Sequence, residues 1–223
     1  MLGRLGLAFL LVAVLTGTAS AAATKQGDPQ KRHNAADQAW AERMHIQRSD
    51  LGAGDWRVEA DSGDNSLAPK DCKDPDLSDL VETGSAENPN FSRNGSFVGS
   101  GSSVFQTESQ AAKAWSRISG QSWTRCLTVA MRQGLAGSGA RLRIVSSGSI
   151  AMPKLASHFK TTRIRLVVSG PAATIQGRIG VYLAAQGRAV AMVLVMSFGK
   201  PLRPISESME RRLATLVASR LKS

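Results

Sequence analysis

Two cysteines are the first candidates for chemistry in this 223-residue chain: Cys72 in "PKDCKDP" and Cys126 at the end of "AWSRISGQSWTRC". A catalytic thiol needs a histidine and an acid at hand, and a structural metal needs four ligands. The chain offers three histidines (His33, His45, His158) and no C-x-x-C or H-x-x-x-H spacing. The pair is therefore read as a disulfide, Cys72 to Cys126. Closing a loop of about 55 residues is worth about 4 kcal/mol in the chain-entropy account. Other sites are weaker. Ser157-His158-Phe159-Lys160 matches S-x-x-K, but the S-D-N and K-T-G partners of that nucleophile motif are missing, and Ser157 precedes an expected strand. Asp74, Asp76 and Asp79 could present oxygens to calcium, but they lack the glycine and terminal glutamate of a calcium loop. Neither a catalytic residue, a metal site nor a cofactor is predicted.

Charge is the stronger signal. The formal net charge is +11, and it is divided unevenly. Residues 24–130 carry 12 basic and 15 acidic side chains, whereas 131–223 carry 15 basic and only Glu207 and Glu210 acidic. Arg143, Arg163, Arg165, Arg178 and Arg188 are expected on strands, several sharing one polar face. A guanidinium-rich face suits carboxylates or phosphates in bidentate contact. The partners this suggests are an anionic cell-wall polymer, a lipid headgroup or a small anion. Nucleic acid is disfavoured, since Tyr182 is the one aromatic that the pattern places on that face for stacking. The competing reading is that the arginines merely solubilise their strands.

The termini and the alternation of side chains say what holds these residues. Residues 1–22 have one basic residue (Arg4), an apolar run Leu5 to Leu15 and Ala19-Ser20-Ala21, the layout of a cleaved signal peptide. An apolar core of about 11 residues is short of the roughly 20 that span a bilayer. A secreted, extracytoplasmic, monomeric product follows as the expectation, without a transmembrane span. Residues 23–33 read as a disordered polar linker and 34–223 as one domain.

Within that domain a helix is predicted from Asn34 to about Arg48, then a strand from Trp56 and a charged surface loop over 60–80. Two strands follow, "LVETGSA" and "GSFVGSGSSVFQ", joined by the turn-rich "ENPNFSRN". Thr107-Glu-Ser-Gln110 forms a capping box for a helix that Gly120 interrupts and that resumes to about Gln133. Four strands come next, with Ile164, Leu166 and Val168 alternating against Arg163 and Arg165. The last of them, "AVAMVLVMSF", is apolar on both faces, as a strand covered on two sides would be. A helix opening at Pro204 closes the chain. The order predicts an α+β fold: an antiparallel sheet of about five to seven strands with helices packed on one face.

The stretches "DLGAGDW" (50–56), "TGSAENPNF" (83–91), "VFQTESQAAKAW" (104–115) and Cys126-Leu127 resemble a group of exported actinobacterial proteins. In general plan the chain also resembles the PknH-type extracellular sensor domains and the LpqN-like lipoproteins of PsbP-like fold. That resemblance implies a non-enzymatic, sensor-like binding module of the cell envelope, and it carries over no catalytic residue. The alternatives are an envelope hydrolase whose site no motif reveals, and a protein–protein interaction module using the acidic loop and the basic half.

Overall fold

The computed structural model describes residues 27–59, 75–87, 90–120, 123–202 and 205–222. The expected signal peptide, Cys72, Asp74 and Pro204 lie outside the described residues.

The chain enters through β1 (Gln30–Lys31), which runs parallel to the start of β3 (Val81–Glu87). Gln30 N donates to Leu80 O and Arg32 N to Glu82 O, both at 2.8 Å, so the stretch expected to be linker is hydrogen-bonded to the sheet from here on. The first helix, α1 (Ala35–Met44), starts where the Asn34 side chain accepts from Asp37 N at 3.0 Å. It ends four residues before the predicted Arg48, because His45 is extended, and a 3₁₀ turn over Arg48–Leu51 follows. Between α1 and β3 lies β2 (Arg57–Glu59).

The turn-rich "ENPNFSRN" contains a strand that was not predicted, β4 (Asn90–Arg93), which pairs with β2 and with β5 (Ser96–Phe105). Its connection to β5 is Asn94-Gly95, with φ of 48° and 77°. Two left-handed residues make the hairpin turn that Asn-Gly is suited to. α2 (Glu108–Gly120) begins after Thr107, whose hydroxyl accepts from Gln110 N at 3.2 Å. The reciprocal half of the capping box is not formed, because Gln110 Oε1 accepts from Val81 N instead. α3 (Trp123–Gly134) follows.

Four long strands complete the sheet: β6 (Arg141–Gly148), β7 (His158–Ser169), β8 (Thr174–Gln186) and β9 (Ala189–Gly199). The sheet order is β1-β3-β5-β9-β8-β7-β6, antiparallel throughout apart from β1 with β3. Nine strands thus pair among the described residues, more than the five to seven expected, because β1 and β4 are two and four residues long and give almost no periodic signal. α4 (Glu207–Arg220) closes the fold from a Ser206 cap.

The α+β class and the antiparallel sheet stand as predicted, but the helices occupy both faces. On the front face, Ala41 and Met44 of α1 and Leu213, Ala214 and Val217 of α4 pack on Val98, Val104, Tyr182, Val193 and Val195. On the back face, Leu127, Met131 and Leu135 of α3 pack on Phe97, Ile164, Leu166, Ile179, Val181 and Met196, beside Trp115 and Ile118 of α2. The physical reason is already in β9, which is apolar on both sides, so that each side needs a cover. No helix among the described residues is long and apolar enough to cross a membrane.

Candidate anion-binding surface

The five arginines singled out from the sequence divide into two groups. Arg163, Arg165 and Arg178 share the front face: Arg163 and Arg165 alternate with Ile164 along β7, and Arg178 lies directly opposite Arg165 on β8. Two of these point under α4, whose first turn brings Glu207 and Glu210 down onto them. Arg163 donates to Glu207 Oε1 at 2.7 Å and to Glu210 Oε2 at 2.9 Å. Arg178 donates to Glu210 Oε1 and to the carbonyl of Ile205, and Tyr182 Oη donates to Glu210 Oε2 at 2.6 Å. Glu210 is 2% exposed. Burial works against the charge of Arg163, yet its hydrogen bond to Glu210 and the charges of Glu210 and Glu207 outweigh it and hold the guanidinium above its ordinary range. The same network presses Tyr182 upward, first through burial and then through its bond to Glu210.

Arg188 does not lie on a strand. It sits with Gly187 in the two-residue turn between β8 and β9. Its guanidinium meets Asp37 of α1 fork to fork and lies over the ring of Trp40. These three cations therefore hold the helices to the sheet, and their charge is neutralised inside the molecule. Tyr182 is likewise buried rather than presented to a ligand.

Arg143 and Arg165 are different. Both are exposed, and neither makes a hydrogen bond or ion pair among the described residues. Register puts a further residue beside them that the prediction missed: Arg141 opposes Ser169, Arg143 opposes Val167 and Arg165 opposes Ser146, all on the front face. Arg141 is also exposed and unpaired. The signal was present in "RLRIV", where Arg141 and Arg143 alternate with Leu142 and Ile144. This corner of the front face is not covered by α1 or α4, and exposed Ser146, Ser169, Thr174 and Gln176 surround it. No acidic residue occurs in the chain between Glu108 and Glu207, so strands β6 to β9 have no carboxylate of their own.

The remaining candidates do not assemble into catalytic sites. A groove of about 380 Å³ beside the β8–β9 turn holds Glu108, Ser157 and His158. There Ser157 Oγ donates to Gln186 Oε1 at 2.7 Å, and the His158 ring stacks on Trp115. Lys160 turns away to the carbonyl of Ser119, so it does not activate Ser157. Asp79 is engaged by Arg117, whose hydrogen bond is the main cause lowering its carboxyl, and Asp76 accepts from Ser78 N and Oγ. Among the described residues no group of three His, Cys, Asp or Glu could hold a metal ion. No described cysteine is free, and Cys126 is half-buried on α3.

No protein-family model matches the chain, and no curated protein matches it either. Among solved structures it is similar to the extracellular domain of PknH from Mycobacterium tuberculosis, with a TM-score of 0.43 and 8% identity, covering 83% of this chain and 97% of that one. Likeness at that level adds nothing to the argument from the residues. Among the described residues the fold is α+β, and the sheet has an open corner that bears Arg141, Arg143 and Arg165.

Proposed function

We propose that the chain is an exported, non-catalytic, sensor-like binding domain of the cell envelope whose ligand is anionic. One observation carries this reading. Once the ion pairs among the described residues are assigned, three guanidinium groups, Arg141, Arg143 and Arg165, remain together on an open sheet corner with no acidic neighbour on their strands. Unpaired guanidiniums are weakly hydrated, planar donors suited to phosphate and carboxylate forks. The A-x-A-terminated apolar leader and the proposed Cys72–Cys126 disulfide support the oxidising, extracytoplasmic setting.

The test is retention on an immobilised polyanion at rising salt. The wild-type protein is expected to elute at higher salt than the variant R143Q/R165Q, while a variant of similar charge loss at the far end of the sheet, R57Q/R93Q, moves less. Equal elution of the two variants reduces the surface to general net charge and removes the reading. Secretion is checked separately, by the mass of the mature N-terminus recovered from the medium.

A further inference from the structure

The three arginines form a row rather than a cup, and this limits what can bind them. Arg141 and Arg143 stand two residues apart on β6, about 7 Å at the strand rise. Arg165 lies one strand inward, opposite Ser146, and continues the line past the bulge between Ile144 and Ser146. With strands about 4.8 Å apart, that step is about 8 Å. The groove beside His158 lies elsewhere, and so does a second one, lined by Pro75, Asp76, Ser78, Asp79 and Arg117. A single small anion is held well where donors converge in a concave site. A line of separately hydrated forks on a flat sheet instead suits repeated anions on one chain, because each weak contact raises the effective concentration of the next.

The surroundings narrow the ligand further. A bilayer surface calls for several apolar or aromatic anchors, and this corner has Val145 (51% exposed) and the half-buried Val167. Single-stranded nucleic acid calls for aromatic platforms, and of the front-face aromatics on β7 and β8, Tyr182 is buried in the core and Phe159 is packed against it. What remains is hydroxyl and amide groups between guanidiniums, a lining for a linear polymer of phosphate groups without bases.

We infer that the Arg141–Arg143–Arg165 row is a docking track for a linear polyphosphate or phosphodiester polymer lying along the β6–β7 edge. This rests on the anion-binding reading above and adds the form of the ligand to it. The probes are inorganic phosphate, tripolyphosphate, long-chain inorganic polyphosphate and vesicles of phosphatidylglycerol with phosphatidylcholine, titrated against the full secreted protein. Long-chain polyphosphate is expected to bind tightest and to lose affinity by about 20-fold between 50 and 200 mM salt, as three phosphates neutralised on a single chain require. Each of R141Q, R143Q and R165Q is expected to lower the salt slope by about one, with R57Q unchanged. Equal affinity for tripolyphosphate and the long chain, capture by vesicles in preference to polymer, or wild-type binding by R141Q/R143Q/R165Q overturns the track. Absence of salt-dependent binding to any anionic probe overturns the anion reading itself.

Discussion

Asp37 and Arg188, 151 residues apart in the chain, meet fork to fork at 2.8 and 2.9 Å and tie the first turn of α1 to the β8–β9 turn. The Arg188 hydrogen bonds are the main reason the Asp37 carboxyl lies well below the usual carboxylate range, with Thr83 and Asn34 adding to it against the cost of burial. A carboxyl lowered in the folded state stabilises above its unfolded pKa, near 3.9, and that stabilisation is lost as pH falls below it. D37N is expected to cost about 1 to 3 kcal/mol at pH 7. The gap between wild type and variant should narrow as urea midpoints are measured from pH 5 down to pH 2.

Glu210 answers two guanidiniums and a phenol from a position that is 2% exposed. Removing it leaves Arg163 and Arg178 without their common counter-charge under α4. E210A is expected to cost about 3 to 5 kcal/mol, the range for breaking a buried pair from one side. Chemical denaturation measures it, and a loss below 1 kcal/mol would mean that the network does not fix α4 to the sheet.

Tyr182 has the opposite pH signature. Burial and its bond to Glu210 raise the phenol above its unfolded pKa of about 10. Its contribution is present below that pH and falls as pH rises beyond it. Y182F should be less stable than wild type by about 1.5 to 3 kcal/mol at pH 7, the value of a hydrogen bond to a charged group. The difference should shrink between pH 10 and pH 12, where the phenol exposed in the unfolded wild type ionises and favours unfolding, while Y182F has no such group.

At Gly84 the close approach of α1 to β3 can be tested directly. A Cβ there would run into the backbone carbonyl of Asp37 and crowd Gln38 N. Backbone cannot swing aside as a side-chain end can, so G84A should push α1 outward and cost about 1 to 3 kcal/mol. G101A, facing only the Ala86 carbonyl at 3.8 Å, is the tolerated comparison.

The long strands were legible because alternation is a local property: Ile164, Leu166 and Val168 fall on one side and Arg163 and Arg165 on the other, as the pattern requires. Which arginine is open was not legible. Arg163 and Arg165 have the same local pattern, and only the docking of α4, 44 to 47 residues later, neutralises the first and leaves the second exposed. The same holds for Arg188, whose acid lies 151 residues upstream. β4 was hidden because Pro89 and two asparagines dominate its neighbourhood, although Asn94-Gly95 followed by "SFV" was a hairpin signal. The second helical layer could have been inferred from the two apolar faces of β9.

The proposed Cys72–Cys126 bridge is open to a direct count. Leu127 and Ala130, on the turn that follows Cys126 along α3, are packed against the rest of the fold, so a bridge from Cys126 would tether the 60–74 segment to a rigid helix. The secreted protein, denatured without reductant, should show no thiol reactive toward a maleimide, and two after reduction. Reduction should then lower the unfolding free energy by about 4 kcal/mol, the closure entropy of a loop of about 55 residues. A smaller loss with the same thiol count would mean that the acidic segment retains contacts in the unfolded chain. Two thiols before reduction would remove the bridge, and with it the chemical support for an oxidising compartment.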